Sequence, residues 1–156
     1  MTHRYQARVR WTGSTAAGYE SYDRGHEGLA PPAEQSVRLT TGERLGDPRL
    51  LNPEQLVVMA ASSCQLLFFL HLAAKARIDV VEYVDEASRV MPDDDPPVRL
   101  TRITLRPHIV VNGGQGEGRG PSEDQILRLV RLAHEHCYIA NSLRTEVLLE
   151  PHIERR

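Results

Sequence analysis

Two cysteines, Cys64 and Cys137, are the side chains of this 156-residue sequence best suited to covalent chemistry. The thiolate is the reactive form of cysteine, and a free thiol titrates at about pH 8.5, so a working cysteine needs a neighbour that favours its charge. Cys64 lies inside the apolar run Ala60-Ala61-Ser62-Ser63-Cys64-Gln65, and Cys137 closes the stretch His134-Glu135-His136-Cys137. Taken singly, each reads as a small buried hydrophobe, the usual fate of a cysteine among apolar neighbours. The histidines offer a rival chemistry. His134 and Cys137 share a helix face and His71 lies in the earlier apolar run, but His136 points elsewhere and no CxxC or HExxH spacing is present, so metal binding is not expected. A Cys64–His71 hydrolase pair would need contact across about two helical turns.

Composition narrows the function classes. The formal net charge is -2 and the sequence pI about 6.4, and the lysines and arginines form no basic run, so neither nucleic acid nor an anionic membrane surface is expected as partner. Aromatics make up 5%, too sparse for a base-stacking groove. Residues Met1 to Trp11 have no apolar secretory core. Two cysteines are too few for a disulfide scaffold, so a reducing cytoplasm is the expected compartment, and a disulfide between them there would be transient and catalytic. The uncharged run Gln55 to Ala74 is long enough to cross a bilayer, but Ser62, Ser63, Gln65 and His71 are costly in lipid and no aromatic belt flanks it. A helix apolar on most sides is more simply the buried centre of a globular protein.

The elements that must carry these residues follow from pattern. Thr2 to Gly13 alternates Tyr5, Ala7, Val9 and Trp11 as a half-buried strand, with Gly18 to Tyr22 as its hairpin partner. Asp23 to Glu34, rich in Gly and Pro, predicts loop, and Gln35 to Thr40 a short strand. Asn52 as N-cap, Pro53 at the first helical position and Gln55 as the capping-box partner start a helix that should run to about Ala76. Ile78 to Val90 and Val98 to Val111 alternate as two strands of a hairpin across the acidic turn Met91 to Pro97. Asn112 to Pro121 holds five glycines and reads as a flexible loop. Ser122 with Gln125 caps a second helix in which Ile126, Leu127, Val130, Ala133, His134 and Cys137 follow at helical spacing, with Cys137 on the core face; it ends near Tyr138 to Asn141, and Leu143 to Ile153 is a last strand. The whole is expected to be a single α+β domain, residues 1–156, with a long buried central helix and a second helix on antiparallel sheet.

Two stretches resemble the OsmC/Ohr family, the osmotically inducible and organic hydroperoxide resistance proteins, in its broader OsmC-like branch. They are Asn52-Pro53-Glu54-Gln55-Leu56 leading to Cys64 and on to Phe69-Leu70-His71-Leu72-Ala73-Ala74, and Ala133 to Leu143 around Cys137. The resemblance implies an α+β sandwich in an intertwined homodimer, with thiol-dependent reduction of organic hydroperoxides and no cofactor. Carried over, Cys64 is the peroxidatic cysteine, and Cys137 resolves its sulfenic acid as a disulfide. Glu54 matches the family's glutamate. The family's N-terminal arginine falls best on Arg24, in Tyr22-Asp23-Arg24-Gly25-His26, with Arg38, Arg44 and Arg49 as alternatives. A dithiol, lipoyl in type, is the implied reductant.

Charge and geometry extend that reading. Cys64 sits several turns into its helix, beyond the reach of the helix dipole, so a cation has to favour its thiolate, and an arginine fork can face sulfur while Glu54 holds its other edge. Glu54 and Cys64 are ten residues apart, about 15 Å of rise and roughly 80° around the axis. One straight helix therefore does not bring them together, and Glu54 of one subunit completing the other subunit's site is the simple resolution. Met59, Leu66, Leu67, Phe68 and Phe69 could line a pocket for lipophilic peroxides or be core. The alternative to a peroxidase is a non-enzymatic member of the same fold that binds a hydrophobic small molecule.

Overall fold

The computed structural model describes residues 2–42, 44–113 and 120–156, so most of the expected glycine-rich loop lies outside the described residues. The chain divides into two compact units, Met1–Leu56 and Val57–Arg156.

In the first unit, β1 (Arg8–Arg10), β2 (His26–Leu29) and β3 (Ser36–Leu39) form an antiparallel sheet in that order. The strand expected over Thr2 to Gly13 is thus only three residues long. Its partner is β2, not Gly18 to Tyr22, with Val9 opposite Gly28 and Gly28 opposite Val37. Gly28 is in the strand because a Cβ there would come within 3.1 Å of Leu39 Cδ1, so the glycine marks close packing and not a turn. Beyond β3, Thr40 donates its N–H to the Leu51 carbonyl at 2.9 Å, which brings the chain to the start of α1 (Pro53–Lys75). That start is the expected capping box: Asn52 Oδ1 accepts from the Gln55 N–H at 2.8 Å, and Gln55 Oε1 accepts from the Asn52 N–H at 2.9 Å.

The second unit holds the rest of α1, β4 (Val80–Asp85), β5 (Ser88–Val90), β6 (Arg102–Leu105), β7 (Pro107–Val111), α2 (Glu123–Glu135), α3 (Tyr138–Ser142), β8 (Glu146–Leu149) and β9 (His152–Arg155). The hairpin forms, but it breaks in the middle and feeds two sheets. β4 pairs antiparallel with β7, and β5 pairs antiparallel with β6. The last strand breaks too, at Pro151: β8 lies parallel to β6, and β9 parallel to β7. The expected antiparallel sheet is therefore two mixed three-stranded sheets, β4-β7-β9 and β5-β6-β8. Proline has no N–H for a ladder, so Pro107 and Pro151 sit where the strands change sheets. The α+β class holds.

α1 buries a stripe, Ala61, Gln65, Phe69 and Ala73, one residue per turn. Phe69 and Ala73 join Ile109 and Val111 of β7 and Ile126, Val130 and Ala133 of α2 in one core cluster. Ala61 joins Ile103 and Leu105 of β6 in a second. The opposite side of α1 is open, with Met59 53% and Leu67 64% exposed, so the helix is not buried all round as its composition suggested. α1 ends in a Schellman motif: Ile78 N–H donates to the Ala73 carbonyl and Arg77 N–H to the Ala74 carbonyl, with Arg77 at φ 58° where glycine is usual.

Candidate functional site

Cys64 is half-buried on α1, and Cys137 is buried; both are free thiols. Cys137 does not belong to α2, as its spacing suggested. α2 ends at Glu135, and Cys137 is the N-cap of α3, its sulfur accepting from the Ala140 N–H at 3.5 Å. This break places Cys137 near enough to Cys64 for each thiol to feel the other. Burial, above all, pushes the Cys137 thiol up to about 11. The neighbouring Cys64 adds to that rise, against the Ala140 and Ile139 N–H groups, which pull the value down.

The surroundings of the pair are aromatic. Phe68, one turn beyond Cys64, meets Tyr138, the residue after Cys137, edge to face at 4.9 Å. Phe69 packs against Tyr83 of β4 at 5.9 Å. Tyr83 is half-buried, but its hydroxyl oxygen is buried with no hydrogen-bond partner among the described residues. Burial first, then the charges of Asp85 and Cys137, push that hydroxyl well above the ordinary tyrosine value. Asp85, two residues along β4, accepts from Ser62 Oγ of α1 at 2.5 Å and from the Arg106 N–H at 2.6 Å. Gln65, beside Cys64 in sequence, is fully buried, donates to the Val130 carbonyl at 2.9 Å and leaves its own oxygen without a partner among the described residues.

The other two expected site residues meet inside the first unit. Arg24 and Glu54 line one cleft of about 540 Å³ with Trp11, Tyr22, His26 and Thr41. The Arg24 guanidinium donates to the Tyr22 carbonyl at 3.0 Å and to the Tyr19 carbonyl, and lies 3.9 Å over the Tyr22 ring. It is thereby held, but not by Glu54: among the described residues no ion pair joins them. Of the alternatives, Arg38 lines a separate polar cleft with Arg10 and Glu27, and Arg49 pairs with Asp47 at 2.7 Å, holding that carboxyl down at about 2. Neither these two nor Arg44 lines the Glu54 cleft.

Ser62, Gln65, Tyr83 and Asp85 were not expected as site residues from the sequence, which marked Ser62 and Gln65 only as costly in lipid. Gln65 carried a signal, a polar side chain inside the buried one-per-turn stripe of α1. Tyr83 and Asp85 carried none, since their partners lie across the fold. His134 and His136 join no ligand cluster, and among the described residues no three His, Cys, Asp or Glu side chains converge as a metal site would need.

A two-sheet α+β unit built on one long helix, with two adjoining free thiols, defines the class of protein. Residues 46–151 match the family model described as OsmC-like protein. The chain belongs to the OsmC-like family. Its structure is similar to an OsmC-like protein of unknown function from Vibrio cholerae, 29% identical, with a TM-score of 0.85 over 97% of this chain and 100% of that one. It is also similar in fold to an organic hydroperoxide resistance protein OsmC from Legionella pneumophila, 16% identical, with a TM-score of 0.67 over 99% of this chain and 98% of that one. The organic hydroperoxide resistance protein OhrB of Bacillus subtilis shares the fold at 16% identity, with a TM-score of 0.59 over 97% and 98% of the two chains. No protein of curated function matches the sequence.

Proposed function

We propose that this protein is a two-cysteine thiol peroxidase that reduces organic hydroperoxides. The observation that carries the reading is the neighbouring pair Cys64 and Cys137, brought near each other from distant parts of the chain with both sulfurs free. In the first step the Cys64 sulfur attacks the peroxide. Its S–O bond forms as the O–O bond breaks, the hydroperoxide is reduced to an alcohol, and Cys64 becomes a sulfenic acid. In the second step Cys137 attacks that sulfur, its thiol proton and the sulfenic hydroxyl leave as water, and the disulfide closes. A small dithiol, lipoyl in type, restores both thiols by exchange.

Arg24 and Glu54 serve the same chemistry in this reading, the arginine facing the peroxidatic sulfur and the glutamate orienting it. Glu54 of one subunit completes the site of the other in a homodimer. The open Met59 and Leu67 side of α1 supports such a pairing, since exposed apolar surface of that kind calls for a cover. A cytoplasmic, reducing compartment fits an enzyme whose resting state is two thiols. Mixing Cys64→Ser and Glu54→Ala subunits tests the sharing: activity should return in confirmed heterodimers, and none returning refutes it.

The first test of the activity is rapid mixing of reduced protein with cumene hydroperoxide or with hydrogen peroxide, followed by mass spectrometry. Fast closure of the Cys64–Cys137 disulfide, faster with the organic peroxide, is expected. Unchanged thiols with both oxidants would favour a second reading, a non-enzymatic binder of a hydrophobic molecule, for which the cleft at Trp11 and Tyr22 is the support.

A further inference from the structure

The hydroxyl of Tyr83 is buried and has no partner among the described residues while both cysteines are reduced. Such a group has lost its water and gained nothing in return, and a phenylalanine would fill the same space without that penalty. Its position along α1 is fixed from both sides. The ring of Tyr83 packs on Phe69, and Asp85, one pleat away on the same face of β4, takes the hydroxyl of Ser62 at 2.5 Å. These two contacts bracket the turn of α1 that carries Cys64. On the other side Tyr83 packs against the cluster holding Ala133, one turn before Cys137, and lies close enough to Cys137 to feel its charge. Asp85 has both oxygens engaged, by Ser62 and by the Arg106 N–H, which leaves the Tyr83 hydroxyl, near Cys137, as a donor uncommitted among the described residues.

We propose that Tyr83 is a catalytic hydrogen-bond donor for the resolving step, taking as its partner the oxygen that Cys64 acquires on oxidation. The proposal rests on the peroxidase reading. The sulfenic oxygen is the leaving group when Cys137 attacks Cys64. A neutral phenol donating to it polarises the S–O bond and stabilises the negative charge that develops as the bond breaks. Cys137 attacks as the thiolate after losing its proton to solvent, the oxygen departs as hydroxide and takes a proton from solvent to become water, and Tyr83 keeps its own proton. Burial, which disfavours the phenolate, keeps Tyr83 in its donor form throughout the neutral range.

Tyr83→Phe tests this in the full-length protein. Sulfenic acid formation is followed by a dimedone trap and disulfide closure by rapid-quench mass spectrometry, with cumene hydroperoxide as oxidant. The variant should form the sulfenic acid within twofold of the wild-type rate and close the disulfide at least tenfold more slowly. It should melt no lower than the wild type, because an orphaned hydroxyl has been removed. Equal closure rates overturn the role of Tyr83 alone, as does slowing of both steps together with a lower melting temperature, the mark of a merely structural residue. Failure of the wild type itself to oxidise would overturn the peroxidase reading and Tyr83 with it.

Discussion

Raising the pH should speed the closing of the Cys64–Cys137 disulfide by about tenfold per unit through the neutral range, because the attacking group is the Cys137 thiolate. Burial and the nearby Cys64 push that thiol up to about 11. At pH 7 the thiolate is then about one molecule in ten thousand, and at pH 8 about one in a thousand. An unperturbed thiol would already be about 3% ionised at pH 7 and would level off above about pH 8.5. The two cases differ in where the profile bends. Burial is the largest cause of the raised Cys137 value and persists when Cys64 is a sulfenic acid. The assay is disulfide closure after a single oxidant pulse, read by rapid quench from pH 6 to pH 10. A rate independent of pH between 6 and 8, or a plateau reached by pH 8.5, would refute the reasoning.

Phe69→Ala removes a fully buried ring from the cluster of α1, β7 and α2 and should lower stability by about 3–5 kcal/mol, seen as a fall in the urea midpoint. Arg77→Gly relieves a left-handed residue at the end of α1 and should raise stability by about 0.5–1 kcal/mol, read as a higher melting temperature with no change in the far-ultraviolet spectrum. Ser62→Ala takes one partner from the Asp85 carboxylate and should destabilise by about 1–3 kcal/mol, and Asp85→Ala in the same background should then cost less than it does alone.

The starts of both long helices were legible because their chemistry is local. Asn52 with Gln55, and Ser122 with Gln125, satisfy each other's backbone within four residues, so nothing distant can override them. β2 was not legible. Gly28 within it and Gly25, Pro31 and Pro32 beside it look like loop, and the need for Gly28 appears only once Leu39 of β3 lies across it. The parallel pairing of β8 and β9 with β6 and β7 is also invisible in the pattern, since alternation marks a strand but not its neighbour. At the site, the two cysteines stood out by type. The helical period ran straight through His136, so the break that makes Cys137 an N-cap did not show. The neighbouring thiols, the orphaned Tyr83 and the Ser62–Asp85 link are all products of long-range packing.

The split hairpin has a consequence for how the chain acquires its structure. β4 with β7, and β5 with β6, can zip outward from the turn between them, a local and fast event. β8 and β9 can add to those strands only after the chain has crossed over through α2 and α3, because parallel partners cannot be joined by a tight turn. Cys137 lies within that crossover. The docking of the crossover closes a long loop and should come late in folding. During synthesis Cys64 would thus spend its early life as an isolated thiol on a formed helix, acquiring its neighbour near the end. A refolding time course in which α1 helicity returns well before the two thiols can be cross-linked would bear the signature of that order.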